Sequence, residues 1–178
     1  MQYYNGYPNR SGGTYPSMPQ QDFIPQYDIM QNQYLYDYPQ NLPMALELIR
    51  GAVEGEREDE MFYDYLISVA PSDEDKNIII GIRDDERKHF MMFRQIYCEL
   101  TGQMLPPPTE SGFEFPESFC AGVKKALQGE LGAVQRYRKI LFAMISRRHI
   151  NMLTEIITDE LRHANLYNLL YSMNQCFM

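Results

Sequence analysis

From Pro43 onward, apolar residues recur at alternating three- and four-residue intervals with polar residues between them. That is the period of an amphipathic helix. The first such segment runs from 43 to about 69 and is closed by Pro71. Ser72 is placed to cap a second helix, whose first turn carries Asp73, Glu74 and Asp75, where the helix dipole favours anions. This helix is predicted to end near Thr101, with Gly102 suited to the position just past its end. The Pro-rich stretch "QMLPPPTESGFEF" is long enough for a crossover connection. A third helix is predicted from Pro116 to about Ile145, and a fourth, capped by Ser146, to about Asn174. Helices of this length span about 40 Å. Four of them, with short first–second and third–fourth turns, predict an all-α fold, an antiparallel four-helix bundle.

The buried seams of these helices are not purely apolar. The second reads Ile79, Ile82, Glu86, His89, Phe93, Ile96, Leu100, and the fourth Leu153, Ile156, Glu160, His163, Tyr167, Leu170. The first reads Leu46, Ile49, Val53, Glu56, Glu60, Tyr63, Ile67, and the third Val123, Leu127, Glu130, Val134, Tyr137, Leu141. The halves also repeat. Shifted by 74 residues, Gly55-Glu56 falls on Gly129-Glu130, Tyr63 on Tyr137, Ser72 on Ser146, Asp85-Glu86 on Asp159-Glu160, and His89 on His163. Two helical hairpins of one design are therefore expected to pack together, each inserting carboxylates and one imidazole into its core.

Four buried carboxylates cannot stand alone, because each isolated buried ion costs several kcal/mol even after relaxation. Two divalent cations would neutralise four glutamates. The predicted ligands are Glu56, Glu86, His89, Glu130, Glu160 and His163: one Glu from each of two helices and a Glu-x-x-His from each of the others. The i, i+3 spacing aims carboxylate and imidazole at one point. Oxygen-rich ligands with two imidazoles suit iron or manganese, and zinc would bind without redox chemistry. Asp85 and Asp159 are candidates to accept from the second ring nitrogens of the histidines, and Tyr63 and Tyr137 to hydrogen-bond the ligand carboxylates. The acidic run Glu54, Glu58, Asp59, Glu60 reads as a solvated face, with Glu60 near enough to the seam to be a spare ligand or iron-entry residue. His149 reads as a turn residue, and Met91, Met92, Met144 and Met152 as gap-filling core.

Composition adds bounds. Residues 1–42 are dominated by Tyr, Gln, Pro and Asn, and eight of the fourteen tyrosines fall there. Such a segment is too poor in aliphatics to offset its ordering entropy. It is expected to be a disordered or partner-bound tail ahead of a 43–178 bundle. A net charge of −8 without a basic cluster argues against nucleic acid. No apolar run approaches a membrane span, and no secretory signal pattern opens the chain. Three widely spaced cysteines, Cys98, Cys120 and Cys176, without C-x-x-C, exclude a rubredoxin-type module and read as lone thiols of a reducing compartment.

The motifs "GEREDEMFYDY", "DERKH", "GELGAVQRY" and "DELRH" resemble those of the ferritin-like superfamily, and within it the rubrerythrin-like branch, over about residues 43–175. The resemblance implies a ferritin-like bundle with a di-iron centre held by the same six residues. It also implies that Tyr63 and Tyr137 are the catalytic tyrosines that hydrogen-bond the site carboxylates. Ala133 stands where typical rubrerythrins carry an additional glutamate, so the ligand set looks nearer to bacterioferritin-type ferroxidase centres. The tail resembles those of some spore-coat proteins of Gram-positive bacteria. The expected function is a cytoplasmic di-iron oxidoreductase, a peroxidase or ferroxidase reducing hydrogen peroxide or oxygen while Fe(II) is oxidised, served by an external electron donor. The alternatives are metal sequestration without turnover and a structural role in an assembly such as a spore coat, with the tail as anchor. A homodimer is compatible with the sequence, though no unambiguous apolar patch marks its interface.

Overall fold

The computed structural model describes residues 33–107 and 113–176. The expectation of disorder over residues 1–32 and the middle of the crossover therefore lie outside the described residues. Among the described residues the fold is all-α, with no strand. It consists of α1 (Leu42–Glu54), α2 (Glu56–Val69), α3 (Asp73–Thr101), α4 (Phe119–Phe142) and α5 (Arg147–Met173), preceded by a 3-10 turn at Gln33–Leu35.

Local chemistry sets most boundaries as the sequence predicts. The Ser72 hydroxyl accepts from the Asp75 amide at 3.1 Å and donates to the Asp75 carboxylate at 2.7 Å. Asn174 donates to the other oxygen of Asp75 at 3.1 Å, so this buried acid has partners on both sides. Gly102 ends α3 with φ 71°, a left-handed conformation open to glycine. Ser118, rather than Pro116, starts α4, its hydroxyl accepting from the Ala121 amide at 3.1 Å. Ser146 does precede α5, but its side chain makes no capping bond.

The largest departure is at Gly55. The predicted 43–69 helix is two helices, because Gly55 takes φ −81° and ψ −3°, and a ψ near zero leaves the α-helical ladder. Glycine's weak helix propensity makes it the place where such a break costs least. The buried face shifts across the break. Ala45, Ile49 and Val53 are buried in α1, then Phe62, Tyr63 and Leu66 in α2. Glu56 and Glu60, predicted to continue the seam, rotate off it.

α4 packs most extensively on α5, and both α1 and α2 pack on α3 and α4. Two apolar clusters result. One gathers Ile49, Val53, Phe93, Ile96, Tyr137 and Ile156; the other gathers Leu66, Ile79, Ile82, Val123, Tyr167 and Leu170. Along α3, α4 and α5 alike, the glutamates and histidines fall between positions belonging to the two clusters. The polar side chains thus form a layer with apolar packing on either side.

Several smaller expectations are corrected. The structured region begins before residue 43: Asn41 is buried and donates to the Leu35 carbonyl at 2.9 Å, and Tyr36 lies 4.8 Å from Phe142, ring to ring. His149 is a buried residue bonded to Glu99 at 2.7 Å, not a turn residue. Met91 is exposed, whereas Met92 and Met144 are core. Cys120 and Cys176 are joined in a disulfide, with Cα atoms 5.3 Å apart, leaving Cys98 free. Three lone thiols are therefore not what the chain holds, and the argument from them for a reducing compartment falls. No helix among the described residues is long and apolar enough to cross a membrane.

Candidate metal centre

The Glu-x-x-His motifs of α3 and α5 meet in the polar layer. His89 and His163 face each other with ring centroids 5.8 Å apart. His163 Nδ1 lies 3.0 Å from Glu86 Oε1 and 3.9 Å from Glu130 Oε2. His89 Nδ1 lies 3.2 Å from Glu160 Oε1 and 3.4 Å from Glu86 Oε1. All five residues are buried, His163 completely. Five of the six predicted ligands are therefore brought together.

The partners of the two imidazoles divide cleanly between their nitrogens. His89 Nε2 is 3.2 Å from Asp159, and His163 Nε2 is 3.3 Å from Asp85. Each histidine is thus anchored by the aspartate of the opposite helix, in the crosswise arrangement the sequence suggests. Arg162 joins the two anchors, bonding Asp159 at 3.0 Å and also Asp85. The inward atoms are different. Glu86 Oε1, Glu160 Oε1, His89 Nδ1 and His163 Nδ1 are close enough to attract one another, yet none completes a hydrogen bond. Buried polar atoms without partners are rare and costly. Four of them converge here, an arrangement that could hold a cation.

The spacing suits that reading. One donor atom each from Glu86, Glu130, Glu160 and His163 lie within 4.8 Å of one another. Ligands about 2.1 Å from a common ion lie at most about 4.2 Å apart, so small side-chain movements would close the shell. The donor set, carboxylates with imidazole, fits iron, manganese or zinc.

The electrostatics match a site short of positive charge. Burial alone would lower the His89 pKa, but the Glu160 and Glu86 carboxylates override it and raise it to about 10. Burial pushes Glu86 up, but both imidazoles pull its carboxyl below the ordinary value. Glu130 has no such help. Burial, with Glu160 and Glu86 beside it, drives its carboxyl well above the usual range. Asp159 and Asp85 are held low despite burial by their histidines and Arg162. Protons on His89 and Glu130 thus offset charge that a cation would otherwise balance.

Glu56 does not join the others. Its carboxylate is taken by Arg94, through Nη2 at 2.6 Å and Nε at 3.2 Å. The break at Gly55 turns it to that side. Glu60, the suggested spare ligand, faces Arg87, whose Nη2 donates to it at 2.9 Å. Asp59, read as part of a solvated face, instead lines a cavity of about 200 Å³ together with Glu86, Glu130 and Glu160. Its carboxyl is raised to about 7, by the surrounding protein first and then by Glu86 and Glu58. It nonetheless keeps an exposed surface, so solvent screens part of that effect.

Tyr63 and Tyr137 line the same cavity, both buried. Burial first, with Glu86 acting on both, pushes each phenol upward, so both are neutral. Among the described residues neither hydroxyl is within hydrogen-bonding geometry of a ligand carboxylate, which differs from the expectation. The cavity reaches exposed residues including Lys125, Gly129 and Arg136, so the carboxylates communicate with solvent between α2 and α4. The sequence pattern assigns no role to Arg94 or Arg162, and places Asp59 in a solvated acidic run. Asp59 had one legible signal, its position one turn after Glu56.

The chain is similar to a Bacillus subtilis (strain 168) protein carried as "Uncharacterized protein YhjR", 29% identical over 133 residues, covering 72% of this chain and 90% of that protein. No family model and no solved structure matches.

Proposed function

We propose that the chain is a ferritin-like four-helix bundle of rubrerythrin type that holds two iron ions and reduces hydrogen peroxide or oxygen as Fe(II) is oxidised. The observation that carries this reading is the set of four buried donor atoms without hydrogen bonds, set against ring nitrogens that are fully anchored on their far side. Evolutionary indifference would leave such a core apolar, since replacing buried ionic groups by packed hydrophobic ones is often neutral or stabilising.

The protein's own part is binding and geometry. Asp159 and Asp85 hold the Nε2 sides, so both histidines present Nδ1 inward. Glu86 Oε1 stands near both imidazoles, 3.4 Å from His89 Nδ1 and 3.0 Å from His163 Nδ1, and with Glu160, beside His89, would help hold the ions. Ile82, Ile156 and Tyr167, fully buried on either side, wall the layer with apolar packing above and below, leaving the cavity between α2 and α4 as its opening to solvent. The cavity at Tyr63 and Tyr137 is of a size to admit a diatomic or a peroxide. Two ferrous ions would supply Lewis acidity and the two electrons that take a peroxide to water, and an external donor would return them. Manganese fits the same donors.

The test is an anaerobic Fe(II) titration followed by mixing with peroxide or oxygen. About two irons per chain, oxidised faster than free iron and lost in His163→Ala, is the expected result. Iron uptake with no acceleration refutes the oxidoreductase reading and leaves metal sequestration. No uptake at all refutes the centre.

A further inference from the structure

We propose that Asp59, and not Glu56, is the carboxylate that α2 contributes to the metal centre. This rests on the metal-centre reading above and concerns which residue completes it.

Glu56 is held elsewhere by a guanidinium that is itself fixed. Arg94 Nη1 donates to the Leu105 carbonyl at 3.2 Å and the Pro106 carbonyl at 2.7 Å, while Nη2 and Nε hold Glu56. Both partners are mostly buried, at 21% and 27% side-chain exposure. Withdrawing Glu56 would strand a half-buried cation whose other bonds tie the crossover to α3, and breaking such a pair is costly. The break at Gly55 is what aims Glu56 at Arg94. In the other hairpin Gly129 lies within an unbroken helix, and Glu130 reaches the centre.

Asp59 is one turn further along α2 and lines the cavity with Glu86, Glu130 and Glu160. Two of those, Glu86 and Glu160, carry buried oxygens without partners. The residue equivalent to Asp59 in the second hairpin is Ala133, buried and lining the same cavity. A methyl there leaves room for one carboxylate, and the chain supplies it from α2 alone. Asp59 is tied into no ion pair among those described and keeps an exposed surface, so turning it inward breaks no ion pair described. The two hairpins thus contribute their non-histidine carboxylates from different positions: Glu130 from α4, and Asp59, three residues past the equivalent of Glu130, from α2.

Cobalt(II) stoichiometry on the full chain, read by elemental analysis after desalting, separates the possibilities. Thermal melts would confirm that each variant is folded. The expected result is about two ions in wild type and in Glu56→Gln, and about one in Asp59→Asn, with Asp59→Glu regaining the second and shifting the visible spectrum of the bound cobalt. Loss of an ion in Glu56→Gln with none lost in Asp59→Asn overturns the assignment, as do equal losses or no loss in both. Wild type binding no cobalt, or His163→Ala binding as much as wild type, would instead remove the centre itself.

Discussion

Stability should fall toward alkaline pH in the cation-free protein and much less so once a cation is bound. The perturbation is alkaline titration of chelator-treated protein. His89 titrates at about 10 in the fold against an ordinary 6.5. A group raised on folding stabilises fully below its unfolded pKa, and that stability is lost as pH rises through its folded pKa. The window is therefore pH 6.5 to about 10 for His89. At about 1.4 kcal/mol per pH unit for one proton, the loss across the whole window is on the order of 5 kcal/mol, a large fraction of a domain's stability. Glu130, also raised, acts with the same sign from its ordinary value upward. Glu86, lowered, acts oppositely, its contribution vanishing as pH falls below the ordinary carboxyl range. Stability of the chelated protein should therefore peak in weakly acidic solution. A ligated imidazole carries no proton to lose, so loading with a redox-silent ion such as Zn(II) should flatten the alkaline limb. Urea unfolding at several pH values from about 6.5 to about 9.5, chelated against loaded, reads both curves. Two parallel curves would refute the reasoning, because protons and a cation would then not be competing for the same atoms.

Asp159→Asn removes the anchor of His89 while keeping its shape, and should weaken metal affinity roughly 10- to 100-fold, measured by competition with a chromophoric chelator. Replacing Cys120 and Cys176 together with serine opens a loop whose ends are 56 residues apart, and should cost about 4 kcal/mol in the chain-entropy account, read as a lower urea midpoint that reductant does not lower further. Gly122→Ala would put a methyl 2.5 Å from the Leu66 side chain, which is fully buried, and should cost about 1–3 kcal/mol as overpacking in the same unfolding assay, leaving metal stoichiometry unchanged.

The helices of α3, α4 and α5, and the positions of Glu86, His89, Glu130, Glu160 and His163 on their buried faces, were legible because helical period is local. Once a segment is helical, which residues share a face follows from 3.6 residues per turn. The crosswise aspartates were legible for a related reason. They adjoin the glutamates in both motifs, and a buried histidine needs two partners. The disulfide was not, since two cysteines 56 positions apart declare nothing until the end of α5 is brought to the start of α4.

The sequence by itself determined the helical class, the repeat and the identity of five converging side chains, because these depend on periodicity and on the cost of burying charge. Only the tertiary structure decided the sixth. Whether the segment from 43 to 69 stayed one helix turned on a single glycine, where a small difference in backbone energy is settled by what waits across the gap. Arg94, pinned by the crossover carbonyls, takes Glu56. The register after the break then carries Asp59 to the cavity and Glu60 to Arg87. Those choices are made between residues tens of positions apart, and no local pattern records them.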